Sequence, residues 1–467
     1  TGHSNRYNLV IIGEIVKLTI KNVKPIIETD ITVKELTIIV GMNNTGKSLF
    51  AHAIHALYNE DLNYSIFIDF FKTNPYMINL YNNFIKRRTS EYIFTREELL
   101  KISVLITEYC KSHEVAKQIY NFIFSSDVFQ EDMMICRDLM PGNEEDLNKL
   151  DHQFSYFFEE VGNKKFILIS KKKNSYTIEF SISQDTYEND CKSGIFLHKS
   201  VRFEFADFFA RIFSKLSLFS KKTIAFPSER SGLTLMKDNL NYFPNKMTEC
   251  YVEFLNQTID TSKKSEDKYY KVAEYIEENI LFGRLNFDPN KNIYFNDFNN
   301  TTDNIFMNRV SSSVRELAAF TIYLKFLVKA NDTIIIDEPE LSLHPDAVRY
   351  LARAIVSLVN KKLNFIIITH SDYFVKEINN LILLNTVDYE KNKIIINEKF
   401  NNNQLDNIQL SSNKVSMISF SRDQNGIKKE EIICNEYGYI EPLFDKTIAR
   451  MNKDEDFIFD LKELEYE

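Results

Sequence analysis

The chain has 467 residues, 44% hydrophobic and 26% charged, and carries a net charge of −9 at neutral pH. That composition belongs to a globular protein with room for two or more cores, and its acidity argues against a broadly basic surface made for nucleic acid, leaving at most a local basic groove. No apolar run reaches the roughly 18 residues of a membrane helix, and Cys110, Cys136, Cys191, Cys250 and Cys434 are too scattered for a zinc site or a disulfide framework, so reduced thiols in a cytoplasmic protein are expected.

The opening Thr1-Gly2-His3-Ser4 has neither the charged region nor the apolar core of a secretion signal. Short apolar runs follow at Leu9 to Ile12, Ile15 to Ile20 and Ile31 to Val33, separated by Gly13, Asn22 and Pro25. They predict a β-meander leading into the next strand. That strand, Thr37 to Val40, runs into Gly41-Met42-Asn43-Asn44-Thr45-Gly46-Lys47-Ser48, and Leu49, Ala51, Ile54 and Leu57 then recur at helical spacing.

Strand, glycine-rich loop and helix in that order form a phosphate-binding P-loop. Gly41 and Gly46 permit the tight turn that lets the backbone N–H groups of Asn43, Asn44, Thr45 and their neighbours point at β- and γ-phosphates, where the positive end of the helix dipole adds attraction. Lys47 supplies a point charge, and the Ser48 hydroxyl is a ligand for Mg²⁺. ATP with Mg²⁺ is the expected cofactor pair.

Residues 58–214 carry no nucleotide-handling pattern and are expected to form an insertion. Within it Thr95-Arg96-Glu97-Glu98 has the form of a capping box, followed on one face by Leu99, Ile102, Ile106 and Tyr109. Lys165 to Ser183 predicts a hairpin turning on the polar KKKNS, and the acidic Gly142 to Asp151 a solvated loop. No internal repeat or sustained heptad is present.

A strand is predicted at Thr223 to Phe226. The polar Ser228, Glu229 and Arg230 that follow are candidates for the nucleotide or a subunit interface, weighed against ordinary turn residues. Helices are predicted at Met247 to Ile259 and Tyr269 to Ile280, strands at Leu281 to Phe287 and Ile293 to Phe295, and a buried helix at Val314 to Ala330.

Thr333 to Ile336 is a wholly apolar strand with Asp337-Glu338 at its C-terminal end, where a magnesium carboxylate belongs. Asp337 is expected to hold Mg²⁺ through water, and Glu338 to polarise the water attacking the γ-phosphate. Pro345 sits at a helix N1 position, and Val348, Leu351, Ala352, Ile355 and Leu358 make one apolar stripe. A second buried strand, Asn364 to Ile368, ends in Thr369-His370-Ser371, where a neutral His370 can sense or orient the γ-phosphate.

Together GMNNTGKS, IIIDEPELSLHP and IIITHS resemble the ABC-type ATPase heads of the SMC and OLD group, a mixed sheet flanked by helices. The resemblance covers about Leu36 to Leu57 and Lys222 to Ser371. It implies that Val310-Ser311-Ser312-Ser313-Val314 is the signature loop reaching across a dimer to the partner's γ-phosphate, although Ser312 and Ser313 stand where that loop usually has glycines, and no Q-loop glutamine is evident. It also implies that His370 is the switch histidine.

The modest insertion and the FPSERSGL segment look most like the stand-alone ATPases of bacterial anti-phage systems, the PARIS and Septu ATPase subunits. OLD-type relatives carry a C-terminal TOPRIM nuclease. Here Asp454-Glu455-Asp456 has the letters without a βαβ unit to place them, and reads as a solvated acidic tail.

The expectation is therefore an α/β ATPase head split between 5–57 and 215–400, with a mainly helical insertion at 58–214 and a C-terminal extension at 401–467. Two copies sandwich ATP, as a homodimer or higher homo-oligomer. The protein controls a separate effector, a nuclease or toxin, and answers to a phage protein or nucleic acid. The rivals are a DNA-repair ATPase of the SMC kind and a largely non-catalytic ATP-dependent scaffold.

Overall fold

Strands buried on both faces must be apolar at nearly every position, and three stretches of this chain meet that condition: Leu36–Gly41, Thr333–Asp337 and Asn364–Ile368. In the computed structural model they form the centre of a six-stranded sheet. Its order is Gly426–Ile432, Val415–Asp423, Leu36–Gly41, Asn364–Ile368, Thr333–Asp337, Thr223–Phe226. Five strands are parallel, and Gly426–Ile432 closes one edge antiparallel. The fold is α/β, a mixed sheet flanked by helices.

The structure describes residues 16–23, 26–86, 91–124, 134–137, 167–172, 175–180, 206–207, 210, 223–236, 245–257, 259–287, 292–400, 405, 407–423, 426–435, 438–439, 447 and 449–456. The chain divides into two compact units, Thr1–Ile15 with Asn22–His55 and Thr223–Glu467, and Val16–Lys21 with Ala56–Lys222.

In the first unit, register places the strand ends side by side: Ile39 pairs with Ile368, Ile368 with Asp337, and Ile336 with Phe226. The P-loop, the acid pair, His370 and the 227–230 turn consequently leave the sheet at one rim, the C-terminal rim where open α/β sheets bind ligands. Helix Pro345–Asn360 buries the predicted stripe of Val348, Leu351, Ala352, Ile355 and Leu358, with Pro345 in its first turn and His344 as N-cap. Helix Ser312–Phe326 is buried on nearly every side. Phe226 anchors an aromatic cluster, edge-on to Tyr251 at 5.9 Å and to Phe320 at 5.6 Å.

Two expectations are corrected here. The P-loop strand is not itself part of a meander: its neighbours are Asn364–Ile368 and Val415–Asp423, while within the second unit Leu18 to Lys21 pair antiparallel with Met134–Arg137. Leu9 to Ile12 lies outside the described residues. The stretch from 401, expected as an extension, supplies two strands of the sheet itself, one directly beside the P-loop strand. Neighbours in sequence are not neighbours in this sheet, because parallel strands take their partners through long crossovers.

The helix expected over Tyr269 to Ile280 is Asp267–Ile276 followed by a π-turn, Glu277–Leu281. The strands after it, Gly283–Phe287 and Ile293–Asp297, gain a third partner in Asn300–Phe306.

In the second unit, helices Glu60–Thr73, Pro75–Lys86, Arg96–Cys110 and His113–Phe124 bury Phe67, Phe70, Ile102, Ile106, Ile119 and Ile123. Asn59 caps the first helix by accepting the Leu62 N–H at 2.9 Å. Thr95 precedes the helix it was expected to cap. The hairpin is tighter than predicted: Lys171 and Lys172 pair with Tyr176 and Ser175 inside the strands. The acidic stretch 142–151 lies outside the described residues. Among the described residues no helix is long and apolar enough to cross a membrane.

Candidate nucleotide and magnesium site

The loop after Leu36–Gly41 is shaped by residues with positive φ. Gly41 has φ +135°, and a Cβ there would stand 2.1 Å from the Phe420 carbonyl oxygen, which accepts the Met42 N–H at 3.0 Å. Only glycine allows that approach. Asn44 (φ 58°) and Gly46 (φ 84°) are left-handed as well, and residues of alternating hand turn successive N–H groups into one concavity suited to anions. The buried Thr45 hydroxyl donates to the Met42 carbonyl at 2.8 Å and closes the loop. Arg422 donates to the Asn44 carbonyl at 3.0 Å from outside.

Lys47 and Ser48 begin the helix Lys47–Leu57. Lys47 Nζ, buried, donates to the Met42 carbonyl at 2.6 Å. Burial lowers its pKa, against the pull of the Asp337 and Glu338 carboxylates. Ser48 Oγ donates to Asp337 Oδ2 at 3.0 Å, across 289 positions of sequence. The P-loop helix and the acid strand therefore meet.

Asp337, last residue of its strand, is buried. Burial pushes its carboxyl up to about 6, opposed by the Ser48 hydrogen bond, while Glu338 and Glu229 add repulsion and Arg230 relieves part of it. A crowded carboxylate paired with a hydroxyl oxygen is a donor set that fits Mg²⁺. Among the described residues no three His, Cys, Asp or Glu side chains could hold a metal ion by themselves. Phosphate and water oxygens would complete the ligand shell, as Mg²⁺ usually requires.

Glu338 has left-handed backbone, φ 50°, which costs a non-glycine residue on the order of 1–3 kcal/mol and persists only where surroundings enforce it. They do: its N–H donates to the Ile368 carbonyl at 2.8 Å, and its own carbonyl accepts from Arg230 at 2.9 Å. Its carboxylate, one third exposed, stands 3.9 Å from His370 Nε2. Burial and then the nearby Lys47 cation lower the His370 pKa, with Glu338 opposing, so the imidazole is neutral at pH 7. The His370 N–H donates to Glu340 at 2.7 Å, and burial raises the Glu340 carboxyl. Asn43, Glu338, Glu340 and His370 are among the residues lining a groove of about 680 Å³, with Leu341, Leu343 and Tyr373.

Ser311 caps the helix Ser312–Phe326, accepting the Val314 N–H at 3.4 Å, and its hydroxyl lies 2.9 Å from that of Ser313. Ser311 and Ser312 are exposed. Arg315 fastens this helix start to the Val310 carbonyl at 2.6 Å and to Ser231 at 3.3 Å. The 227–230 turn divides its three candidates. Glu229 is exposed and acts electrostatically on His52 and Asp337, Ser228 is half-buried, and Arg230 is only 1% exposed and engaged with carbonyls. Arg230 is thus no surface ligand. Nothing in SERSG marks it as internal, and sequence reasoning also missed Phe420, Arg422 and Glu340.

As a whole the rim brings together the glycine-turned loop, the Lys47 cation, the Ser48 hydroxyl and the Asp337 carboxylate. The Glu338 carboxylate stands beside the His370 imidazole, a pairing of groups that can exchange protons.

Residues 14–375 match the model of a family described as the AAA ATPase domain. No curated protein matches the sequence. Solved structures that match include an SMC head bound to the C-terminal winged-helix domain of ScpA, 14% identical, covering 92% of this chain and 100% of that chain, TM-score 0.35. The SMC head domain from Thermotoga maritima is 10% identical, covering 89% and 98%, TM-score 0.30. The Smc head domain with an extended coiled coil bound to the C-terminal domain of ScpA, from Pyrococcus furiosus, is 13% identical, covering 95% and 100%, TM-score 0.31.

Proposed function

We propose that this chain, which belongs to the AAA ATPase domain family, binds and hydrolyses ATP as an ABC-type head and acts as the sensor or scaffold subunit of a bacterial anti-phage system, controlling a separate effector in the cytoplasm. The observation that carries the ATPase reading is the 3.0 Å bond from Ser48 to Asp337, since it puts the phosphate loop and the acid pair at one point. Support for the defence role comes from the resemblance of the motifs and of FPSERSGL to stand-alone defence ATPases.

In this reading the loop N–H groups of 41–48 and Lys47 bind the β- and γ-phosphates. Ser48 and Asp337 would hold Mg²⁺, which when bound would offset the negative charge of the phosphates. Glu338 accepts a proton from the attacking water, and neutral His370, 3.9 Å away, orients the water and the γ-phosphate. Ser311, Ser312 and Ser313 belong to the partner's nucleotide, so that two copies close on two ATP molecules. Residues 58–214 are an insertion into the head.

The test compares the parent with Glu338→Gln. The variant binds ATP, loses hydrolysis by roughly 10²–10⁴-fold, and accumulates as a dimer by light scattering when Mg·ATP is present. Hydrolysis at the parent's rate would remove Glu338 from its role. For the defence reading, cells carrying the gene with its neighbours resist phage, and resistance is lost with Glu338→Gln. A transporter permease as neighbour, or strong stimulation of hydrolysis by DNA, would redirect the assignment.

A further inference from the structure

Arg230 is a charged residue that the site does not expose, and its surroundings are unusual for an interior cation. Its side chain is 1% exposed, and all three guanidinium nitrogens are engaged. Nε donates to the Glu316 carbonyl at 3.0 Å and lies 2.9 Å from Glu316 Oε2. Nη1 donates to the carbonyls of Pro227 at 3.1 Å and Asp337 at 2.7 Å, and Nη2 to that of Glu338 at 2.9 Å. Two of the four carbonyls thus belong to the acid pair. A third belongs to the helix Ser312–Phe326, whose start carries the exposed serines.

We propose that Arg230 is a positioning residue for hydrolysis: its rigid fork holds the backbone of Asp337 and Glu338 and ties it to helix Ser312–Phe326, so that the Glu338 carboxylate is aimed at the attacking water. The reason is geometric. Glu338 sits at φ 50°, a conformation that returns to ordinary values unless its peptide groups are pinned on both sides. The Ile368 carbonyl pins the N–H, and Arg230 pins the C=O. A planar guanidinium satisfies several carbonyls at fixed angles, which a lysine ammonium does not. Helix and acid pair are thereby joined through one buried group. This inference rests on the ATP-hydrolysing reading above.

The experiment measures kcat, ATP affinity and thermal midpoint for the full chain, Arg230→Met and Arg230→Lys. Loss of aim by about an ångström costs on the order of 100-fold in rate, so both variants lose kcat by about that factor while ATP affinity stays near the parent's. Arg230→Lys keeps a cation beside Glu316 and decides the matter should Arg230→Met fail to fold. If the role were only to balance the Glu316 charge, Arg230→Lys would restore turnover together with stability, and that result overturns the proposal. A fall in affinity as large as the fall in kcat also overturns it. A parent that binds Mg·ATP without turning it over overturns both this inference and the ATPase reading, whereas an active parent matched by an equally active Arg230→Lys overturns this inference alone.

Discussion

One helix, Ser312–Phe326, carries a buried ion pair at each end, and the two pairs are built differently. Near its start Glu316 lies 2.9 Å from Arg230, and near its end Lys325 lies 2.8 Å from Glu277. The first cation reaches carbonyls from the 227 turn, the acid strand and the helix itself. The second closes a local ring: Lys325 also donates to the Leu285 carbonyl at 3.1 Å, and Glu277 accepts the Leu285 N–H at 2.8 Å. That ring fastens the π-turn Glu277–Leu281 to strand Gly283–Phe287, just where Phe282 is left-handed at φ 55° and Gly283 has no room for a Cβ beside Phe295. A fork spans separate elements and a point charge staples neighbouring ones. The difference teaches that equal burial does not mean an equal bearing on the site.

The largest expected effect follows from breaking the staple. Burial raises the Glu277 carboxyl, and Lys325 is what offsets it. Lys325→Met strands that carboxylate, and removing one partner of a buried pair costs about 3–5 kcal/mol. Chemical unfolding should record that loss, while kcat per folded molecule stays at the parent value. Pairing Lys325→Met with Glu277→Met should return most of the stability, because well-packed apolar replacements of buried pairs are often neutral. If Lys325→Met lowers kcat as Arg230→Met does, the contrast between the two ends of the helix is lost.

A third buried ionisable group sharpens the comparison because it lacks a neutralising partner. His55 is 3% exposed, its Nδ1 has no hydrogen-bond partner among the described residues, and burial, with His52 adding to it, lowers its pKa to about 4. The folded value lies below the unfolded 6.5, so the unfolded chain takes up the proton first as pH falls. His55 therefore contributes its full stability above about pH 6.5 and loses it progressively toward pH 4, on the order of 3 kcal/mol in all. Asp337 and Glu277, raised by burial, act in the opposite sense, so the readout is a difference. Between pH 6.5 and 4.5 the stability of His55→Gln should fall less steeply than the parent's. Parallel curves would show that the folded state does not lower the His55 pKa below its unfolded value.

These regions also separate what the sequence makes legible from what it does not. Thr333–Asp337 and Asn364–Ile368 are readable because a doubly buried strand has to be continuously apolar. The acids and His370 are readable because chemistry wants them at strand tips. Gly41 reads as a phosphate-loop glycine, yet the tightest demand on it is the Phe420 carbonyl, brought by a strand nearly four hundred positions away in sequence. No local signal announces a parallel neighbour. Arg230 fails for the same reason: an arginine within SERSG looks solvated until three carbonyls from distant segments converge on it. The Ser48 to Asp337 contact is intermediate, since the motif demands both groups but only folding brings them to 3.0 Å.

The smallest expected effect lies at the exposed start of the same helix. Ser311 caps it through a long 3.4 Å bond, and Arg315 holds the same turn independently, so Ser311→Ala should cost only about 0.5–1 kcal/mol, the low end for a lost N-cap. Aspartate caps as well as serine and favours the positive helix end, so Ser311→Asp should keep the parent's stability. It also places a negative charge where, in the two-copy reading, the partner's γ-phosphate arrives. In a Glu338→Gln background Ser311→Asp should therefore stay monomeric with Mg·ATP while unfolding like its parent. A full yield of dimer from that variant would leave the serines as caps and nothing more.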